Sequence, residues 1–239
     1  MSKNSALAPR IAANDIDTFL HNLDEMGSAV LSGILTPPEC RAVTALYDQG
    51  TGFRSHIRMQ RHGFGKGEYK YFAYPLPPLV QALREMIYPL LVPTANAWQE
   101  HMGLETQFPV AHKDYLELCA KAGQTKPTPL LLRYGPGDYN CLHQDVYGEM
   151  LFPLQAAVLL SDPETDFSGG EFVLTEQRPR MQSRAEVVSL QQGDAVVFSV
   201  RNRPARGTRG FYRVNMRHGV SRVREGSRHT LGVIFHDAA

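Results

Sequence analysis

Nothing in this 239-residue chain provides a long apolar run, a cysteine framework or more than one tryptophan, and each shortage removes a class of protein. The most apolar stretch, residues 152–160, falls well short of the roughly 18 uninterrupted apolar residues a membrane span needs, so no membrane partner is expected. The N-terminal stretch lacks a continuous apolar segment and does not read as a signal peptide, which makes a cytoplasmic protein the expectation. Cys40, Cys119 and Cys141 are odd in number and without C-x-x-C spacing, which argues against a disulfide framework and a structural zinc site. What remains, 43% hydrophobic and 21% charged residues, describes an ordinary globular chain rather than a disordered or coiled-coil one. The length allows one embellished domain or two small ones, and no biased linker divides it, so a single domain over 1–239 is expected.

Charge is balanced overall at +1 but not along the chain. Residues 201–228 carry nine arginines against the one acid Glu225, a local +8 that leaves −7 for the rest. A second basic stretch holds Arg54, Arg58, Arg61, Lys66 and Lys70 with Glu68 as its only acid. Clustered arginines create a field that a phosphate backbone can occupy, although solvated arginine-rich edges occur without any nucleic acid. On this ground Arg54, Arg58, Arg61, Arg203, Arg206 and Arg209 are candidate contacts to DNA or RNA.

The hydrophobic period changes midway. Residues 1–127 read mainly as helices: Asn14 can cap one carrying Ile16, Phe19, Leu20 and Leu23, and Thr36-Pro37-Pro38-Glu39 forms a capping box. Further helices are expected over 79–91 and 95–102, with a break at Pro93, and over 111–122. Residues 53–74, glycine-rich in the centre and aromatic at the end, read as a mobile hairpin or lid. Residues 128–239 hold seven short runs of β-branched and aromatic residues separated by turn signals, which suggests a β-sandwich or barrel backed by the helices, an α+β chain.

Two His-x-Asp pairs occur. His112 and Asp114 begin a helical pattern, where residues two apart diverge. His143 and Asp145 follow a strand, and an extended backbone points both the same way. Taken alone they are also what a hydrogen-bonded pair at a strand end looks like. His218, in a later strand, would complete a set of two histidines and one carboxylate, the facial arrangement that holds non-haem iron(II) with open positions. Arg228 follows on a return strand, where its planar fork suits a carboxylate. Cys141 beside His143 carries no sign of activation as a nucleophile.

The pattern Leu132-Arg133-Tyr134, His143-x-Asp145, Gly169-Gly170-Glu171, Gly193 to Phe198, and His218 followed ten residues later by Arg228 resembles the iron(II)/2-oxoglutarate-dependent oxygenases, especially their prolyl-4-hydroxylase-like branch. The resemblance implies a double-stranded β-helix, or jelly roll, with His143, Asp145 and His218 as iron ligands. Arg228 would pair with the distal carboxylate of 2-oxoglutarate, assisted by Tyr134 and, as further contributors, Tyr139 and Thr230. It implies Fe(II), 2-oxoglutarate and O2 as cofactor and co-substrates, and decarboxylation to succinate coupled to hydroxylation of a substrate C–H bond.

The whole chain is also similar to bacterial oxygenases of this length described as oxidative demethylases of damaged DNA. That implies a flipped alkylated base in the pocket, with Phe64, Tyr69 or Tyr71 as a stacking surface. The His218-to-Arg228 spacing is instead that of prolyl hydroxylases, and Ile234 stands where alkylation-repair oxygenases carry a second arginine. Protein hydroxylation, with a peptide as partner, is therefore the alternative, and a non-catalytic metal-binding jelly roll the second alternative.

Overall fold

The computed structural model describes residues 4–146 and 148–239. The first half alternates helix and strand: α1 (Asn4–Ala12), α2 (Ile16–Met26), β1 (Ser28–Leu31), α3 (Pro37–Thr44), β2 (Phe53–Arg58), β3 (Gly65–Lys66), β4 (Glu68–Phe72), α4 (Pro78–His101) and α5 (His112–Lys121). Strands then dominate: β5 (Leu130–Tyr134), β6 (Tyr139–His143), β7 (Leu154–Leu159), β8 (Phe167–Gly169), β9 (Phe172–Gln177) and β10 (Arg184–Val188). The last are β11 (Ala195–Ser199), β12 (Asn202–Gly207), β13 (Gly210–Val220), β14 (Val223–Gly226) and β15 (Arg228–Val233). Among the described residues no helix is long and apolar enough to cross a membrane.

The strands form a seven-stranded sheet, β1-β11-β7-β15-β5-β4-β2, and a six-stranded sheet, β10-β9-β13-β6-β3, with β12 paired to β13 and all partners antiparallel. The seven-stranded sheet is covered on both faces. Ala156, Val158, Ala195, Val197, Leu231 and Val233 point to the helices, where they join Leu83, Ile87, Trp98 and Tyr115. Ala157, Leu159, Val196 and Phe198 point the other way, to Phe172, Leu174 and Val220 of the second sheet. A strand covered on both sides has no polar face to show, which is why β7 reads Leu-Gln-Ala-Ala-Val-Leu and is buried at all six positions.

The local signals act as their chemistry predicts, with exceptions. Thr36 and Glu39 close the capping box of α3. Asp15, not Asn14, caps α2 through the Thr18 amide, while Asn14 bridges to Ser32. The helix expected to break at Pro93 runs unbroken over α4: Pro93 lies on the exposed face, while Tyr88, Leu91, Val92 and Ala95 hold the buried face. The 53–74 segment is corrected too. It forms a hairpin, but β4 is zipped to β5 and β3 to β6, so it is a wall shared by both sheets and not a free lid. Its strands also make the first half less helical than expected.

Candidate active site

The two histidines of the site are fixed by backbone register. His143, at the end of β6, lies directly opposite His218 on β13, and their rings stand 4.2 Å apart. The pairing shifts immediately after His218, and a Cβ on Gly219 would meet the Asn140 carbonyl oxygen at 2.7 Å, so only glycine lets the strands approach there. Asp145 follows beyond the end of β6. Its Oδ1 lies 3.5 Å from His143 Nε2 and its Oδ2 3.3 Å from His218 Nε2. One ligand atom from each of the three residues lies within 4.8 Å of the others.

Protonation follows from this geometry. Burial pushes the Asp145 carboxyl up, but hydrogen bonds from both imidazoles and their charge outweigh it and hold the group well below the usual carboxylate range. Burial lowers His218. Burial also disfavours charge on His143, but Asp145 overrides it and raises the pKa. The Nδ1–H of His143 donates to the Cys141 carbonyl at 2.7 Å, so Nε2 is the nitrogen that faces Asp145 and His218 and would become a metal ligand on losing its proton. The donor set, two imidazole nitrogens and one carboxylate around a common point, fits an iron(II) ion with positions left open for 2-oxoglutarate and O2.

The three residues line a cavity of about 170 Å³ between the sheets, whose wall also includes Tyr134, Arg228 and Thr230. Arg228 is 2% exposed and has no ion pair among the described residues. Its Nη1 donates to the Thr230 hydroxyl, its Nε has no partner, and burial lowers its pKa to about 10, so it remains charged at neutral pH. Gly170 makes room for it, since a Cβ there would stand 2.9 Å from Arg228 Cδ. The guanidinium lies 5.8 Å from the Tyr134 and Phe167 ring centroids. The fully buried Tyr134 hydroxyl makes no well-formed hydrogen bond, and burial pushes its pKa up. A buried cation beside a hydroxyl that only the Asn140 side chain approaches is a receptor for an anion that also accepts hydrogen bonds.

The other sequence candidates separate. Tyr139 is exposed on β6 and absent from the cavity wall, where Asn140 stands instead; the irregular pairing next to His218 puts Asn140 inside. Arg203 is buried at 2% and bonded to Glu176 and to the Asp24 carbonyl, so it is a core ion pair and not a phosphate contact. Arg206 and Arg209 are exposed around the β12–β13 turn. Arg58 lies exposed beside a surface hollow with Lys66, Glu68 and Arg133, and Arg61 is exposed. Arg54 is held by the Pro127 carbonyl and covers the ring of Tyr71 at 4.5 Å; Tyr71, Tyr69 and Phe64 all line the cavity. His112, from the other His-x-Asp pair, is buried against Phe235 and serves the core.

Gln144 and Gln155 were not visible as site residues in the sequence. Gln144 ties the turn between the ligands to the Met216 carbonyl, and Gln155 donates to Asp145. The second left a trace, as the one polar side chain in an otherwise apolar strand.

Comparison with known proteins agrees with this geometry. A structure of Pseudomonas putida prolyl-4-hydroxylase superposes with a TM-score of 0.53 at 15% identity, covering 91% of this chain and 96% of its own. A 2OG-Fe(II) oxygenase family oxidoreductase from Burkholderia pseudomallei gives 0.54 at 16% identity, over 95% and 94%. A Trichoplax adhaerens prolyl hydroxylase, in complex with a hypoxia inducible factor peptide fragment, gives 0.57 at 13% identity, over 96% and 91%. The fold is thus that of the 2OG-Fe(II) oxygenases, mixed helix and antiparallel sheet. An uncharacterized protein of Mycobacterium tuberculosis is 49% identical over 168 residues, 70% of this chain and 72% of its own length. Residues 67–238 match the model of the Oxygenase-NA family, described as an oxygenase catalysing oxidative methylation of damaged DNA, and the chain belongs to that family of oxygenases.

Proposed function

We propose that this protein is an Fe(II)/2-oxoglutarate-dependent dioxygenase whose substrate is alkylated nucleic acid, from which it removes a methyl group by oxidation. The observation that carries the reading is the shared cavity: a His143–Asp145–His218 donor set and, within the same walls, a buried arginine without a counter-ion. In this reading the two sheets are the halves of a double-stranded β-helix in a single cytoplasmic domain. His143, Asp145 and His218 hold the iron, while Arg228, with Thr230 and Tyr134, takes the distal carboxylate of 2-oxoglutarate. With the co-substrate and O2, iron supplies the oxidation of a substrate C–H bond. The protein groups do the rest. Arg228 orients the co-substrate through a charge-assisted pair in a dry site, and the apolar walls Leu132, Phe172 and Ile234 exclude water.

The nucleic-acid part rests on the family description and on the surface. Hydroxylating an N-methyl carbon releases formaldehyde, so the chemistry open to these cofactors removes methyl groups. Phe64, Tyr69 and Tyr71 put aromatic rings in the cavity wall, and Arg54, Arg206 and Arg209 place exposed positive charge on the same molecule. A peptide substrate is the second reading. It is favoured by Ile234, which lines the cavity without charge, and by the peptide bound to the Trichoplax adhaerens protein.

The test is release of succinate and formaldehyde by anaerobically iron-loaded protein given 2-oxoglutarate, with and without methylated single-stranded DNA. Formaldehyde requiring both DNA and 2-oxoglutarate is the expected result. Succinate without formaldehyde would transfer the site to the peptide reading, and succinate formation by Asp145→Ala equal to that of the native chain would remove the ligand assignment.

A further inference from the structure

The three ligand side chains are not held in the same way. His143 and His218 belong to paired strands, and backbone register fixes both. Asp145 belongs to no strand. Its carboxylate reaches the common point from a loop, and the side chain that meets it there from regular structure, other than the two histidines, is Gln155.

Gln155 sits on β7, opposite Phe198, whose ring packs 4.6 Å from His218. It is 5% exposed in a strand otherwise made of Leu, Ala and Val. Its Nε2 donates to Asp145 Oδ2 at 2.7 Å and lies 3.3 Å from His218 Nε2. Its Oε1 is buried and has no partner among the described residues. As a core residue this is a poor choice, because an unpaired buried acceptor costs more than a methyl group of the same shape. The amide hydrogens, by contrast, are placed where they can do one thing: occupy one oxygen of the ligand carboxylate and keep it turned toward the two imidazoles. The amide orientation is fixed as well, since reversing it would set Oε1 against a carboxylate oxygen.

We infer that Gln155 is a positioning residue for the metal site, holding the loop-borne Asp145 in its ligating orientation before the ion arrives. The inference rests on His143, Asp145 and His218 being the ligands, but on no assumption about the substrate. A hydrogen-bonded ligand carboxylate is pre-organised, and losing such a partner commonly costs 10- to 100-fold in metal affinity.

The experiment is Mn(II) binding to the full-length chain, followed by calorimetry and by the rise in unfolding temperature the ion induces. Gln155→Met and Gln155→Leu keep the volume and remove the amide. Both are expected to bind Mn(II) about 10- to 100-fold more weakly. The metal-free unfolding temperature should be unchanged or higher, because the unpaired Oε1 is gone, while the ion-induced rise shrinks. The Mn(II) resonance spectrum should broaden as Asp145 loses its fixed orientation. Unchanged affinity and spectrum in both variants would overturn the inference. So would a lowered metal-free unfolding temperature with native affinity, which would make Gln155 a packing residue. Asp145→Ala separates the two levels: if it binds Mn(II) as the native chain does, the ligand set itself falls.

Discussion

Two arginines are equally hidden in this molecule and have opposite surroundings. Arg84, on the helix side of the seven-stranded sheet, is fully buried and tied off: Nε donates to the Ile234 carbonyl, Nη1 to the Tyr74 hydroxyl, and Nη2 to the Asp237 carboxylate and the Phe235 and His236 carbonyls. Arg228, on the other face, has only Thr230. A buried charge with all three nitrogens bonded organises structure, here by clamping the C-terminal segment onto α4. One left open at the wall of a cavity is held in readiness for something that arrives, because desolvation has already been suffered without compensation. The contrast is confined to the guanidiniums, because unpartnered buried atoms occur in both surroundings: His112, His236 and Tyr115 keep them near Arg84, as Tyr134 and Gln155 do in the cavity wall.

Substituting the two arginines alike is the strongest way to break this comparison. Arg84→Met should cost about 3–5 kcal/mol in urea unfolding, because Asp237 is left buried and unpaired. Arg228→Met should leave stability unchanged or higher, since it removes a charge that has no partner. If both variants lose stability equally, the distinction between the two arginines disappears.

Acid should also act on the structural side. Burial holds His112 and His236 at about 4, below the ordinary histidine value of 6.5. A depressed histidine pKa means the unfolded chain takes up the proton first, so stability is complete above 6.5 and declines as pH falls toward 4. Each group contributes roughly 3 kcal/mol over that window. Unfolding temperature measured from pH 7 to 4 should fall, and His112→Asn should flatten the slope; a flat native profile would contradict the assignment.

On the cavity side the loss should appear in binding. Arg228→Met should raise the 2-oxoglutarate requirement about 10- to 100-fold, the equivalent of roughly 1.5–3 kcal/mol for a charge-assisted pair. An unaltered requirement in co-substrate titrations would place the anchor elsewhere. The smallest effect is expected at the surface: Arg206→Ala and Arg209→Ala should each lower the salt dependence of DNA binding by about one unit of log–log slope. Arg203→Ala should leave that slope alone and destabilise the Glu176 pair instead.

What could be read from the sequence follows from the range of the interactions. His143, His218 and Arg228 lie on strands, whose period is local, but Asp145 comes from a loop, and the four were legible as a set through the family resemblance of the motifs that carry them. The capping box of α3 was equally local. Arg203 could not be told from Arg206 and Arg209, which share its composition and segment; only the pairing of β12 turns the first inward onto Glu176. Tyr139 failed for a related reason, since the irregular register beside His218 exchanges the faces of β6. The 53–74 hairpin looked loose because its glycines suggest mobility, whereas its partners β5 and β6 lie more than 55 residues later in the chain. Gln155 acquires its meaning only from Asp145, brought to it by the fold.

The long strand β13 sets a length scale. Its last residues pair with β9 and β6 and carry His218, while its first residues, from Gly210, pair with β12. Arg206 lies opposite Phe211, seven residues before His218, or about 23 Å along an extended strand. Seven residues is an odd number, so Arg206 and Phe211 face the opposite side of the sheet from His218. A chain-like molecule that engages both ends must cover that distance and also turn the sheet edge at β12, so a series of shortened oligonucleotides should lose affinity in a step and not gradually.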